Sequence, residues 1–226
     1  MGGGDGGRDR AEDSPALTGD RSLTVTALMD RVDRCARKWD ARALRFGSCQ
    51  GWRRNVMSMD AIVCGVDPGL QTTGYAVVRY SSGEPTIVDA GVCRFDPRRP
   101  LAERLAQVDV DVSALFDEHH PDHVAVESLY AHYKHPRTAI LMGHVRGVIL
   151  AAAGRRDIEV SSYAATRVKK YVTGHGQASK SQMQRAIQNM LGLADLPEPN
   201  DVADALAIAL CCGSELSRQA LSGMTR

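Results

Sequence analysis

An α/β protein with a five-stranded mixed sheet and helices on both faces is the fold class this sequence predicts. Three observations lead there. Three strand-like runs follow one another closely between residues 61 and 95, as hairpins do. Beyond them, helical and strand patterns alternate. Two of the runs, AIVCGVD and HVAVE, are apolar almost throughout, the mark of strands buried on both faces.

Residues 1–58 differ in kind from the rest. Met1 to Asp20 is rich in Gly, Asp and Arg and has almost nothing to bury, so it is expected to be disordered, with a polar helix from Leu23 to Phe46. Met57 and Met59 stand directly before the first strand, so this stretch is either a dispensable extension or the product of a start placed too far upstream. The domain proper is expected at residues 59–213, with 214–226 as a tail. Its first strand, Ile62 to Val66, ends at Asp67 and the breakers Pro68 and Gly69; Gly74 to Val78 returns as the second strand. Thr86 to Phe95 reads as the third. Leu101, Leu105, Val108, Val112, Leu115 and Phe116 recur at helical spacing up to His119, before Pro121. His123 to Glu127 is a fourth strand that again finishes on an acid. Thr138 to Ala153 is an apolar helix, where Gly143 and Gly147 would let another backbone come close. Ile158 to Ser161 is the fifth strand, Ala164 to Tyr171 a short basic helix, and Ser179 to Leu191 and Asp201 to Cys212 the last two helices.

The 226 residues, 43% apolar and 24% charged, suit one soluble domain with something extra. No apolar run approaches the roughly 20 residues of a membrane span, and the N-terminus lacks the apolar centre of a secretory signal, so a cytoplasmic protein is expected. Six cysteines without a CxxC pair point to buried thiols, not to disulfides or a zinc site. The net charge of +1 hides a local bias: between Ala131 and Arg185, ten Lys and Arg stand against two acids, as a nucleic-acid surface would require.

The chemistry lies in the acids. Asp67 and Glu127 become neighbours if their strands pair in parallel at the sheet centre. In NDVADALAIALC, Asp201 and Asp204 are three apart and share one helix face. Each has a plainer reading: Asp67 precedes Pro-Gly as turn aspartates do, and Asp201 suits the first turn of a helix that Asn200 would cap. Four carboxylates brought together repel, so such a cluster implies bound cations, and an all-oxygen donor set selects Mg²⁺ or Mn²⁺ over zinc. Two such ions about 3.5–4 Å apart serve phosphodiester hydrolysis, which makes a nucleic-acid backbone the natural substrate.

VDPGLQTTGYAVV, AVESLY, RVKKYVTGHGQASKSQ and NDVADALAIA, in this order and spacing, closely resemble the RuvC Holliday-junction resolvases, a family with the ribonuclease-H-like fold. The resemblance covers roughly Asp60 to Gly213. It implies that Asp67, Glu127, Asp201 and Asp204 are the catalytic, metal-binding acids and that two Mg²⁺ ions per subunit are used, with Mn²⁺ able to substitute. It further implies a homodimer that nicks two opposed strands of a four-way junction alongside the RuvA and RuvB branch-migration proteins. By the same resemblance Tyr130 stacks on a base near the cut, and Lys169 and Lys180 lie near the scissile strand; Arg167, Lys170 and Arg185 are further candidates for phosphate contacts.

Other readings stay open at this point. Tyr130 also fits the edge of a core, and any single surface Lys or Arg can simply be solvated. His175, between two glycines, could shuttle a proton or do nothing. An actin-like ATPase, a junction-binding protein that does not cut, and a flap nuclease of the same fold are the rival functions. The ATPase would need a second phosphate loop, which the chain lacks. The segment AHYKHPRTA after Tyr130 is more aromatic and basic than the family pattern, so substrate contacts there differ from it.

Overall fold

A computed structural model describes residues 60–81, 84–129 and 136–223. The extension over residues 1–58, with its expected helix, and Tyr130 lie outside the described residues. In chain order the elements are β1 (Ala61–Asp67), β2 (Thr72–Ser81), β3 (Glu84–Arg94), α1 (Leu101–His119), β4 (His123–Glu127), α2 (Pro136–Gly154), β5 (Glu159–Tyr163), α3 (Ala165–Thr173), α4 (Lys180–Leu191) and α5 (Asn200–Gly223).

The five strands form one mixed sheet in the order β3-β2-β1-β4-β5. The β3, β2 and β1 strands are antiparallel neighbours, as tight hairpins require; β1, β4 and β5 are parallel, each joined to the next through a helix or a longer excursion. Because side chains alternate along a strand, each strand feeds two cores. Cys64, Val66, Val77, Val124 and Val126 pack with Val108, Val112 and Phe116 of α1 and Val145 and Ile149 of α2. Val63, Ala76, Val78 and Ala125 pack on the other face with Val168 of α3, Ile187 of α4 and Leu206 and Leu210 of α5. Helices therefore cover both faces, which is why β1 carries no charged residue until it ends at Asp67. No helix among the described residues is long and apolar enough to cross a membrane.

Local chemistry sets the boundaries. His120, in the left-handed region at φ 45°, closes α1 by donating its backbone N–H to the Phe116 carbonyl, and Pro121 follows. Asp122 then starts the parallel pair: its carboxylate accepts from the Ile62 N–H at 2.7 Å and its own N–H donates to the Ile62 carbonyl at 2.9 Å. Ser179 and Gln182 form a reciprocal capping box at the start of α4.

Four expectations change. Gly143 and Gly147 host no close backbone: a Cβ on Gly143 would meet only the Leu129 side chain at 3.6 Å, and one on Gly147 nothing within 4 Å. Asn200 is the first residue of α5 and not its cap, because the chain turns one residue earlier, where the Pro199 carbonyl accepts from the Val202 N–H at 2.9 Å. The fifth strand is Glu159–Tyr163, shifted toward the C-terminus from the expected Ile158 to Ser161, since Ile158 still closes the end of α2 by donating to the Ala153 carbonyl. Finally, residues 214–223 are not a tail. The helix α5 runs through them, held by the Arg167–Glu215 ion pair at 2.9 Å and by Leu216 against the core.

Candidate active site

Asp67 ends β1 and Glu127 ends β4, and the last paired rung before them is Val66 opposite Val126. Asp67 continues the row of Val63 and Gly65, and Glu127 that of Ala125, so both carboxyls stand on the face covered by α5. Ligand sites in sheets of this kind form at the carboxyl ends of parallel strands, and this is such an end.

The helix α5 reaches the acids because two glycines let it. A Cβ on Gly65 would lie 2.7 Å from the Ala209 nitrogen and closer still to the Ala205 carbonyl oxygen. One on Gly74 would lie 2.6 Å from the Asp201 carbonyl carbon, and closer to its oxygen. The helix backbone thus rests on the backbone of β1 and β2, and its first turn, with Asp201 and then Asp204, is brought over the end of β1. Thr73, buried beside it, ties the loop after Asp67: its hydroxyl donates to the Gly69 carbonyl at 2.8 Å and accepts from the Gly69 N–H at 3.2 Å.

The acids act on one another electrostatically. Burial, then the negative charges of Glu127, Asp204 and Asp201, push the Asp67 carboxyl up to about 8, and a hydrogen bond to Glu127 adds to the shift. Burial likewise raises Glu127, helped by Asp204 and opposed by the bond from Asp67 and the charge of Lys169. Asp204 is raised by burial and by Asp201, against the pull of Lys180 and Lys169. Asp67 and Glu127 therefore hold one proton between them into the neutral range. Among the described residues no three acids, histidines or cysteines stand as a ready-made coordination shell; instead, these two carboxyls bond to each other. The chemistry of these side chains nonetheless fits a divalent cation: all four acids would offer oxygens, their charges are those a hard ion neutralises, and a metal would compete with the proton for the same lone pairs.

Of the expected basic residues, Lys169 on α3 and Lys180 at the start of α4 come close enough to act on the acids. Lys170 and Arg185 are exposed. Arg167 is engaged elsewhere, paired with Glu215 and placed over the Tyr163 ring at 5.4 Å. Much of the local basic excess is similarly spent within the fold: Arg155 bonds Asp109, Arg156 bonds Asp117, and Arg146 bonds the Glu127 carbonyl and Ser162. The exposed His175 shares backbone hydrogen bonds with the Thr173 hydroxyl. His144 bonds the Ile140 carbonyl at 2.8 Å; His132 and His135 fall outside the described residues. Sequence reasoning missed Arg146, Gly65 and Gly74. A glycine inside a buried strand marks close backbone approach, so Gly65 carried a usable signal; Arg146 carried none.

A family model described as Crossover junction endodeoxyribonuclease RuvC matches residues 63–212, from β1 into α5. Over 149 residues the chain is 49% identical to the crossover junction endodeoxyribonuclease RuvC of Rhodopirellula baltica, covering 66% of this chain and 84% of that one. It is 39% identical over 150 residues to the protein of the same name from Pelotomaculum thermopropionicum, covering 66% and 91%. Among solved structures, Thermus thermophilus RuvC superposes with a TM-score of 0.60 at 31% identity, over 66% of this chain and 92% of that chain. The Thermus thermophilus RuvC in complex with a Holliday junction substrate gives 0.65 at 30% identity, over 70% and 96%. The mixed sheet with its two helical layers is accordingly the ribonuclease-H-like fold, and the chain belongs to the RuvC family of crossover junction endodeoxyribonucleases.

Proposed function

We propose that this chain is a Holliday-junction resolving endonuclease that acts in recombination and repair as a cytoplasmic homodimer, making paired symmetric nicks with two Mg²⁺ ions per subunit. The observation that carries this reading is that Asp67 and Glu127 end β1 and β4 under the first turn of α5, where the charges of Glu127, Asp204 and Asp201 all act on Asp67 and those of Lys169 and Lys180 act on Asp204. Family membership and the neighbour whose printed title is a complex with a Holliday junction substrate support it.

Asp67, Glu127, Asp201 and Asp204 would hold the ions, Mn²⁺ replacing Mg²⁺. When bound, such ions activate water and stabilise the leaving oxygen of a phosphodiester. The remaining work falls to the chain. Asp67, on giving its proton to solvent, would serve beside Glu127 as a second anionic ligand. Lys169 and Lys180 offer ammonium donors to the phosphate oxygens of the scissile strand. Lys170 extends that basic surface; Arg167 adds to it only by exchanging Glu215 for a phosphate. Tyr130 stacks on a base exposed at the crossover, a contact of about 1–3 kcal/mol. RuvA and RuvB are the proposed partners, and residues 1–58 lie outside the nuclease domain.

The test is digestion of a synthetic mobile four-way junction with Mg²⁺, alongside flaps and linear duplexes. Symmetric, ligatable nicks confined to the junction are expected. Equal cutting of flaps or duplexes, or no cutting with either Mg²⁺ or Mn²⁺, overturns the reading.

A further inference from the structure

We infer that Arg146 is a positioning residue for the active site, a two-armed brace that holds the end of β4, and with it Glu127, against β5. The inference rests on the junction-cutting reading and deepens it. Arg146 lies on α2 next to Val145, which is fully buried in the core, and is itself partly buried. Its Nε donates to the Glu127 main-chain carbonyl at 3.3 Å, and a terminal nitrogen donates to the Ser162 hydroxyl at 2.6 Å. Those two acceptors lie on adjacent parallel strands at the last rungs of their pairing, where Glu127 faces Tyr163 and the Ser128 N–H donates to the Tyr163 carbonyl at 2.8 Å.

The position matters because the strand ends there. Up to Val126 the ladder to β1 holds β4 in place; at Glu127 and beyond, the chain leaves the sheet centre. The carbonyl and the carboxyl of Glu127 hang from one Cα, so a tether on the first limits the reach of the second. Both acceptors are neutral. What Arg146 supplies is therefore the rigid planar fork of a guanidinium rather than a positive charge, and a lysine cannot span the two acceptors in the same way. Groups that orient metal-binding side chains from outside typically change metal affinity by about 10–100-fold when removed.

The experiment compares the full-length protein with its Arg146→Ala, Arg146→Lys and Ser162→Ala variants. Three quantities are measured: Mn²⁺ binding without DNA, junction affinity without divalent ion, and cleavage across a Mg²⁺ series. Thermal midpoints are recorded in parallel. Both Arg146 variants are expected to bind Mn²⁺ at least about tenfold more weakly and to need correspondingly more Mg²⁺ for half-maximal cutting, with junction affinity unchanged within about twofold. Ser162→Ala, which removes one arm and leaves α2 intact, is expected to show a smaller loss of the same kind, so the idea survives an Arg146 variant that folds badly. Restoration of Mn²⁺ affinity by lysine, unchanged Mn²⁺ affinity in all three variants, or junction affinity falling in step with cutting would overturn the brace. If the wild type binds Mn²⁺ and the variants lose it while no protein cuts a junction, the brace stands and the proposed function falls.

Discussion

Asp67 keeps a proton up to about 8, where an ordinary aspartate has lost it near 3.8. Between those values the folded chain binds a proton that the unfolded chain has released, so folding stability falls as pH rises through that window. Asparagine at this position carries no such penalty. In chelator, the thermal midpoint of Asp67→Asn is expected to gain on the wild type as pH is raised from about 4 to about 8; a constant difference across a pH series of melting curves would contradict this. The same substitution removes a proposed metal ligand. Because active-site ions contribute several kcal/mol to the transition state, Asp67→Asn should slow cutting on the order of a thousandfold or more while leaving junction affinity within a few-fold. Single-turnover cleavage and gel-shift titration measure the two separately. Asp67 was readable as a candidate from the sequence alone, as an acid ending a buried apolar run. Its shared proton was not, since that depends on how far Glu127, sixty residues away, stands from it.

The elements explain why the acids meet. A strand ending on a carboxylate is visible in AIVCGVD and HVAVE, and the two pair in parallel after two hairpin strands and a helix carry the chain from one to the other. The seat of α5 was harder to foresee. Gly143 and Gly147 drew attention as a spaced pair in a helix, yet the close approach occurs at Gly65 and Gly74, in strands. A sequence reveals where a backbone lacks a Cβ, but not which element will lie against it. These two pairs predict opposite outcomes. Gly74→Ala should cost about 1–3 kcal/mol, because the new methyl group must displace the backbone at Asp201, and it should impair cutting beyond the loss of stability. Gly147→Ala, on an exposed helix face with open space, should instead gain up to about 1 kcal/mol. Denaturant midpoints of the two variants decide the matter; destabilisation by both, or by neither, would count against this account of the seat. The helix end was misjudged for a related reason. The apolar pattern of α5 fades after Cys212, and what carries the helix onward is a partner on α3, Arg167, that spacing does not disclose.

At the scale of the whole molecule, the described strands and helices lie between residues 60 and 223, and the family match falls inside them. A protein starting at Met59 is therefore expected to fold with a thermal midpoint within a few degrees of the full chain and to cut junctions at a similar rate. A truncated chain that is insoluble or inactive would show that residues 1–58 belong to the working enzyme. The charge pattern illustrates the limit of reading function from a local excess: the bases between Ala131 and Arg185 outnumber the acids there as a nucleic-acid surface would require, whereas Arg155, Arg156 and Arg167 are committed to acids of the same chain. Among the described residues, Lys169 and Lys180 are bases whose charge reaches the acids. The seat of α5 on Gly65 and Gly74 has one more implication. With main chain lying directly on main chain, the backbone spacing between the end of β1 and the first turn of α5 is set by contact and acts as a fixed gauge for the acids the two carry. On the proposed function, repacking the hydrophobic interior along α5 should alter how firmly the protein is folded without changing which of Mg²⁺ and Mn²⁺ supports cutting.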